Sequence, residues 1–299
     1  MSALLARRAE GEPPRSVTGN PYLRGLRRAF RRPLGLICLI VLLGLIAGAL
    51  FAPLLAPNGP TVQLRGLELH APSAAHPFGT DEFGRDLLSR TLYGLRVSLL
   101  AGVLSVLLGG CAGTIVGLVA GFREGWQGAV LMRLVDGLIA FPAILLGIAI
   151  VSALGPGIRN VTATIAVVNV PVFARLAYAG VLAEKRRDYV AAATTLGASG
   201  RRVLFGHLLI NVLPPLTVQA ALAMGFSVLV EASLSFVGLG IRPPNPSLGS
   251  IIEGSRRFMR QKLYYPLFPG AVLALLLLGL NALADTLNDG LGPRGGKRR

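Results

Sequence analysis

The chain has 299 residues, a formal net charge of +16 and a mean hydropathy of +0.62, with 53% hydrophobic and only 15% charged residues. Soluble domains carry about 25% charged residues, so this composition describes a polytopic all-α membrane protein and excludes a soluble domain with a large core. The positive charge does not point to nucleic acid, because the arginines cluster beside apolar runs and no aromatic-basic interleaving accompanies them.

Residues 1–33 are polar and basic, with Arg7, Arg8, Arg15, Arg24, Arg27, Arg28, Arg31 and Arg32 against Glu10 and Glu12. This lead is too long and too charged for an ordinary secretory signal. Leu23, Leu26 and Phe30 recur at helical spacing, which allows an interfacial helix; a basic flank is the simpler reading. Residues 34–55 form the first span, long enough to cross the hydrocarbon core and closed by Pro53 and Pro57. The arginines ahead of it place the N-terminus in the cytoplasm.

Residues 56–96 form a long external segment rich in Pro and Gly, which turns and then approaches the second span as an amphipathic stretch. Asp81, Glu82, Arg85 and Asp86 read as a salt-bridged turn, since no nucleophile or metal-ligand set stands with them. The core of the chain, 97–290, begins with the second span at 97–121. Gly109, Gly113, Gly117 and Gly121 fall on one face of it, and small residues at that spacing let helices approach closely in lipid. Another helix of this chain or a partner's helix would fit that face equally well.

After an internal loop at 122–128, the third span runs from about 129 to 154. Arg133 and Asp136 lie near its start, placed to pair with each other or to reach headgroups. Phe141-Pro142 kinks it, and Gly155-Pro156-Gly157 is an external turn. The fourth span covers about 161–183 with Pro171 inside it, and Arg175 is close enough to the inner end to snorkel.

Residues 184–213 form a cytoplasmic polar break carrying Lys185, Arg186, Arg187, Arg201 and Arg202. Its Ala-rich middle, Tyr189 to Leu196, is helical by propensity, a short rod of about 12 Å. Asp188 suits the N-cap, Gly197 suits a left-handed stop, and Ser199 caps a second helix running toward Pro214. Ala191, Ala192 and Ala193 make a small flat surface that another protein can approach. A solvated linker is the alternative reading of the same residues.

The fifth span runs from about 214 to 239 and contains Glu231. An ionisable group in an apolar run marks a functional site by default; a carboxylate near the outer interface, or paired with a polar neighbour, is the competing reading. A second external segment, 240–266, is basic at Arg256, Arg257, Arg260 and Lys262. The sixth span covers about 267–287, and the tail from 291 to 299 is basic, with Arg294, Lys297, Arg298 and Arg299. Six spans with both ends in the cytoplasm satisfy these assignments. Cys38 and Cys111 make neither a disulfide framework nor a metal site, and His70, His76 and His207 lack ligand spacing. No Walker A string and no nucleophile-base pair occurs, so the chain is expected to be no enzyme.

Several strings carry a resemblance to one family. Ala191, Ala192, Ala193, three residues and Gly197 resemble the Glu-Ala-Ala-x3-Gly loop of bacterial ATP-binding-cassette (ABC) importer permeases, with Ala191 in place of Glu and Ile210 in place of a following Pro. The run His76-Pro77-Phe78-Gly79-Thr80-Asp81, then Gly84-Arg85-Asp86, Tyr93-Gly94 and Arg96 to Leu99, resembles the dipeptide, oligopeptide and nickel branch, more narrowly its DppC/OppC-like subunits. Residues 231–250 resemble its Leu-Ser-Phe-Leu-Gly-Leu-Gly and Pro-Pro-x-Pro-x-Trp-Gly signature, with Leu248 for Trp. Asn281, Asp285, Asn288 and Asp289 resemble its closing string, with Ala284, Thr286 and Asn288 as departures. These strings stand in family order across about residues 20–294.

The resemblance implies a type I ABC importer transmembrane domain in the bacterial cytoplasmic (inner) membrane. Asp188, Tyr189, Ala191, Ala192, Ala193, Leu196, Gly197 and Ala198 would form the coupling helix. It implies a heterodimer with a homologous permease, two ABC ATPase subunits that bind ATP and Mg, and an extracytoplasmic solute-binding protein. No cofactor is expected on this chain. Peptides are the implied substrate, nickel is the alternative within the branch, and an ATP-independent secondary transporter is the alternative outside it.

Overall fold

The computed structural model describes residues 33–123 and 125–291. The basic N-terminal tail with Leu23, Leu26 and Phe30, and the basic C-terminal tail with Arg294, Lys297, Arg298 and Arg299, lie outside the described residues. The described fold is helical. In chain order the helices are α1 (Pro33–Leu50), α2 (Ala52–Leu55), α3 (Leu87–Phe122), α4 (Trp126–Ile139), α5 (Ala143–Leu154), α6 (Ile158–Glu184), α7 (Asp188–Thr195), α8 (Gly200–Arg202), α9 (Leu209–Phe236), α10 (Leu248–Ser255) and α11 (Tyr264–Leu291). A π-helical segment, Val203–Leu208, joins α8 to α9 without a break.

Among the described residues four helices are long and apolar enough to cross a membrane: Leu87–Phe122, Ile158–Glu184, Gly200–Phe236 and Tyr264–Asp289. The pair α4 and α5 would make a fifth, and Gly35–Leu50 of α1 is apolar but shorter. The chain is therefore a multi-pass membrane protein. Its outer surface suits that solvent: Leu107, Leu108, Leu134, Leu145, Leu229 and Leu278 all stand exposed, where lipid tails or another apolar surface can cover them.

The centre is the pair α3 and α6, packed side by side. A methyl added at Gly109, Gly113, Gly117 or Gly121 would lie only 2.9, 2.9, 2.8 and 2.9 Å from the Cβ atoms of Asn169, Phe173, Ala177 and Val181. The glycine face thus meets a helix of the same chain, in parallel, at a constant register. Without a side chain on one partner, the two backbones approach closely enough to maximise dispersion, which in lipid replaces the hydrophobic effect as the packing force. Around this pair α9 runs antiparallel, with Asn169 donating to Ser227 Oγ at 2.9 Å and a methyl at Gly180 landing 2.9 Å from Val212. Helices α1 and α11 pack on the far side of α9 and α3 through Leu42, Leu95, Val228, Leu276 and Leu280.

Three expectations differ in extent. The approach to the second span is no separate amphipathic stretch. The helix is continuous from Leu87, because Asp86 caps it through Ser89 N at 2.8 Å and its polar first turns are buried on the preceding segment. The third span is broken rather than kinked, with α4 and α5 bent by 90°. Pro142 lacks the N–H that would continue α4 and drives Phe141 away from helical angles; Pro142 itself has ψ 130°. The fifth helix does not begin at Pro214. It starts at Gly200 and carries Pro214 and Pro215 inside it. The preceding π turn widens the helix just before the two missing donors.

Asp136 pairs with Arg175 and not with Arg133. Its carboxylate accepts from Arg175 of α6 at 2.8 Å, an exposed pair that ties the α4 segment to the bundle.

Candidate functional site

Two ends of the bundle carry the polar residues. At one end, α7 follows α6 after three residues. Arg187, in extended backbone at φ −83° and ψ 149°, is its N-cap. Asp188, expected at that position, is instead the first helical residue, exposed, with its charge favourably placed at the positive helix end. Val190 is buried and Tyr189 half-buried. The Tyr189 hydroxyl donates to Glu184 Oε2 at 2.8 Å and accepts from Asn211 Nδ2 at 3.1 Å, tying α7 to the end of α6 and to α9. Desolvation, and after it the hydrogen bond to Glu184, pushes the Tyr189 phenol above its ordinary value.

The opposite face of α7 makes no such contacts. Ala191, Ala192 and Gly197 are exposed, Leu196 is 88% exposed, and Ala193 and Ala198 are half-covered. Gly197 stops the helix at φ +83°. Its N–H donates to Thr194 O and the Ala198 N–H to Ala193 O, both at 3.0 Å, a left-handed stop that satisfies carbonyls of the last turn. A methyl at Gly197 would meet nothing within 4 Å, so the backbone angle and not crowding requires glycine here. Ser199 then caps the next helix through Arg202 N at 3.4 Å, and that helix runs unbroken to Phe236. The α7 patch is thus joined to a 37-residue rod by a single turn.

At the other end, the 56–86 segment folds over the starts of α3 and α11. Asp81 is fully buried and organises it, accepting from Phe83 N and Arg85 N at 2.9 Å and from Arg85 Nε at 2.6 Å, with Arg90 Nε 3.2 Å away. Burying these charges is tolerated because both guanidinium groups face the Asp81 carboxylate and Arg90 Nη1 donates to Pro60 O at 3.0 Å. Thr80 Oγ1 donates to Leu67 O and accepts from His70 N. His76 Nδ1 lies 2.9 Å from Asp86 Oδ1, and Pro77 leads into Gly79. Gly79 and Gly84 have φ +77° and +71°, and a methyl at Gly79 would sit 2.6 Å from His70 O. The whole string His76 to Asp86 is a scaffold that fixes the start of α3. Tyr265 reaches it from α11 by donating to Glu82.

Glu231 lies in α9, fully buried. Its carboxylate accepts from Ser98 Oγ of α3 and Ser235 Oγ of α9, both at 2.7 Å. Behind these, Ser98 Oγ accepts from Leu248 N at 3.4 Å and Ser247 Oγ donates to Ser235 Oγ at 3.3 Å. Among the described residues no cation pairs with it. Glu231 therefore joins α3, α9 and the first turn of α10 through hydroxyls. Ser235, four residues on, was within reach of helical spacing; Ser98, 133 residues away, left no local signal.

The profile described as "Binding-protein-dependent transport system inner membrane component" matches residues 113–296, more than half of the chain. The chain belongs to this family. A second profile, "N-terminal TM domain of oligopeptide transport permease C", matches residues 21–72. The permease is 38% identical over 275 residues to the dipeptide transport system permease protein DppC of Alkalihalophilus pseudofirmus, across 92% of this chain and 90% of that one. It is 40% identical over 262 residues to the di/tripeptide transport system permease protein DppC of Pseudomonas aeruginosa, across 86% of each chain. It is 38% identical over 275 residues to the glutathione transport system permease protein GsiD of Pectobacterium atrosepticum, across 92% of this chain and 91% of that one. Membership in this permease family implies ATPase and binding-protein partners in general.

Proposed function

We propose that this chain is the permease subunit of a peptide ABC importer in the bacterial cytoplasmic membrane. It is paired with a homologous permease to form the translocation path, driven by two ATPase subunits and supplied by an extracytoplasmic solute-binding protein. The observation that carries the reading is α7: a short helix held by Tyr189 and Val190, exposing small residues outward, and one turn from a continuous helix that reaches the far end of the bundle. Peptides are favoured as substrate by the relatives, whose names specify dipeptides, tripeptides and glutathione.

Six crossings with both termini in the cytoplasm are supported by helix direction. Parallel packing of α3 and α6, and antiparallel packing of α9, place the starts of α3, α6 and α11 at the end opposite α7. The bent α4–α5 pair and α1 then supply the return crossings. The α7 end carries Arg123, Lys185, Arg186, Arg187, Arg201 and Arg202, which supports a cytoplasmic position for it by the positive-inside rule.

The chain performs no chemistry of its own. ATP and Mg belong to the partner ATPases, and nucleotide drives transport by binding two conformations with different affinity. Closure of the ATPases draws α7 along, and α9 carries that displacement through Glu231 to α3 and α10. Reconstitution with a binding protein and ATPase subunits tests this reading. ATP-dependent uptake of dipeptide is expected. Uptake of nickel without peptide would replace the substrate, and solute movement by the chain alone without ATP would overturn the mechanism.

A further inference from the structure

The end of the bundle opposite α7 contains a half-open cavity of about 410 Å³, lined by the 56–86 segment, the turn after α9, α10 and the start of α11. That volume lies in the range of small-ligand sites. Its walls carry both signs of charge. Arg85 and Arg90 form a buried floor and are anchored to Asp81. Glu82 is engaged by Tyr265. The remaining two charged groups differ: Arg242, exposed at the rim, and Glu253, half-buried, line the cavity, and among the described residues neither side chain makes a hydrogen bond or ion pair.

A cation and an anion without protein partners, lining one half-open cavity, select against simple ions. A lone anion would meet Glu82 and Glu253, and a lone cation would meet three arginines. A small ligand bearing both charges satisfies both walls, and charge-assisted hydrogen bonds are the strong ones. Phe83 and Ile241 add apolar lining.

We propose that this cavity binds the zwitterionic form of a short peptide, with its terminal carboxylate on Arg242 and its terminal ammonium on Glu253. The proposal rests on the peptide-importer reading and goes beyond it: the permease itself holds a peptide site at the face that receives substrate, separate from the site on the binding protein.

The test is equilibrium binding of radiolabelled dialanine and trialanine to the purified importer complex in nanodiscs, with no binding protein present. Saturable binding is expected. Dialanine amide and N-acetyl-dialanine each bind about tenfold more weakly, the loss that follows removal of one charge-assisted contact. The variants give a matched signature. Arg242→Gln loses discrimination against the amide only, and Glu253→Gln loses discrimination against the acetylated form only. Absence of saturable binding, equal binding of the capped forms, or full discrimination in both variants would overturn the proposal. Uptake by the complete importer is measured in parallel. Peptide uptake without permease binding removes only this site, whereas failure of peptide uptake removes the importer reading as well.

Discussion

Replacing Gly117 tests whether the glycine face of α3 is an internal joint. A methyl there would lie 2.8 Å from Ala177 Cβ and would collide with Ala174 O, where ordinary contact begins at 3.4 Å. Relieving the first contact alone requires a local separation of about 0.6 Å, and a gap of that size forfeits roughly a quarter of the dispersion between facing atoms. Overpacking of this kind costs about 1–3 kcal/mol, against about 0.5–1 kcal/mol returned by exchanging glycine for alanine within a helix. The net loss for Gly117→Ala is about 0–2.5 kcal/mol, with the collision against the Ala174 backbone oxygen favouring the upper part, which lowers Tm by up to roughly 10 °C by the scaling for domains of 150–250 residues. Gly117→Val should fall further. Gly44→Ala is the matched control, because nothing lies within 4 Å of a methyl there; it should hold Tm or raise it. Thermal stability of the detergent-solubilised permease, read by fluorescence-detected size exclusion, is the assay. Unchanged Tm in both Gly117 variants, or an equal fall in Gly44→Ala, would refute the close α3–α6 packing.

At α7, Gly197→Arg and Ala192→Trp should leave membrane insertion intact and abolish stimulation of ATP hydrolysis by the binding protein; normal stimulation in both would count against docking through this patch. Glu231→Leu should destabilise the permease by about 2–4 kcal/mol by stranding the hydroxyls of Ser98 and Ser235, whereas Glu231→Gln keeps shape and acceptor and should lose less than half as much in thermal unfolding; equal losses would deny the hydrogen-bonded role. Asp81→Asn should cost about 3–5 kcal/mol because it leaves Arg85 and Arg90 buried without their anion, detectable as a collapse in folded yield, and a yield matching wild type would remove Asp81 from the centre of that scaffold.

How far the sequence discloses this fold depends on the range of each interaction. The apolar runs of α3, α6 and α11 are visible because lipid imposes a length. The left-handed stop at Gly197 and the Ser199 cap are visible because caps are local. What escaped is non-local. Hydropathy starts the second span only near Val97, since Arg90 counts as a charge in water; its burial beside Asp81 becomes evident only when the preceding segment has folded over it. Pro142 announces a disruption, but the 90° bend between α4 and α5 depends on what each helix packs against. Pro214 and Pro215 read as a boundary, although the π turn ahead of them lets the helix continue. Glu231 is conspicuous in the chain, while its surroundings come from Ser98 and the turn before α10, on two other elements.

The most direct test of the central claim is site-specific photocrosslinking at Ala192 in native membranes, with proteins bound at that position identified. The account predicts crosslinking to an ATP-hydrolysing subunit, with efficiency that changes when nucleotide is trapped. Crosslinking only to lipid or to this chain, together with full ATP-driven uptake, would contradict it.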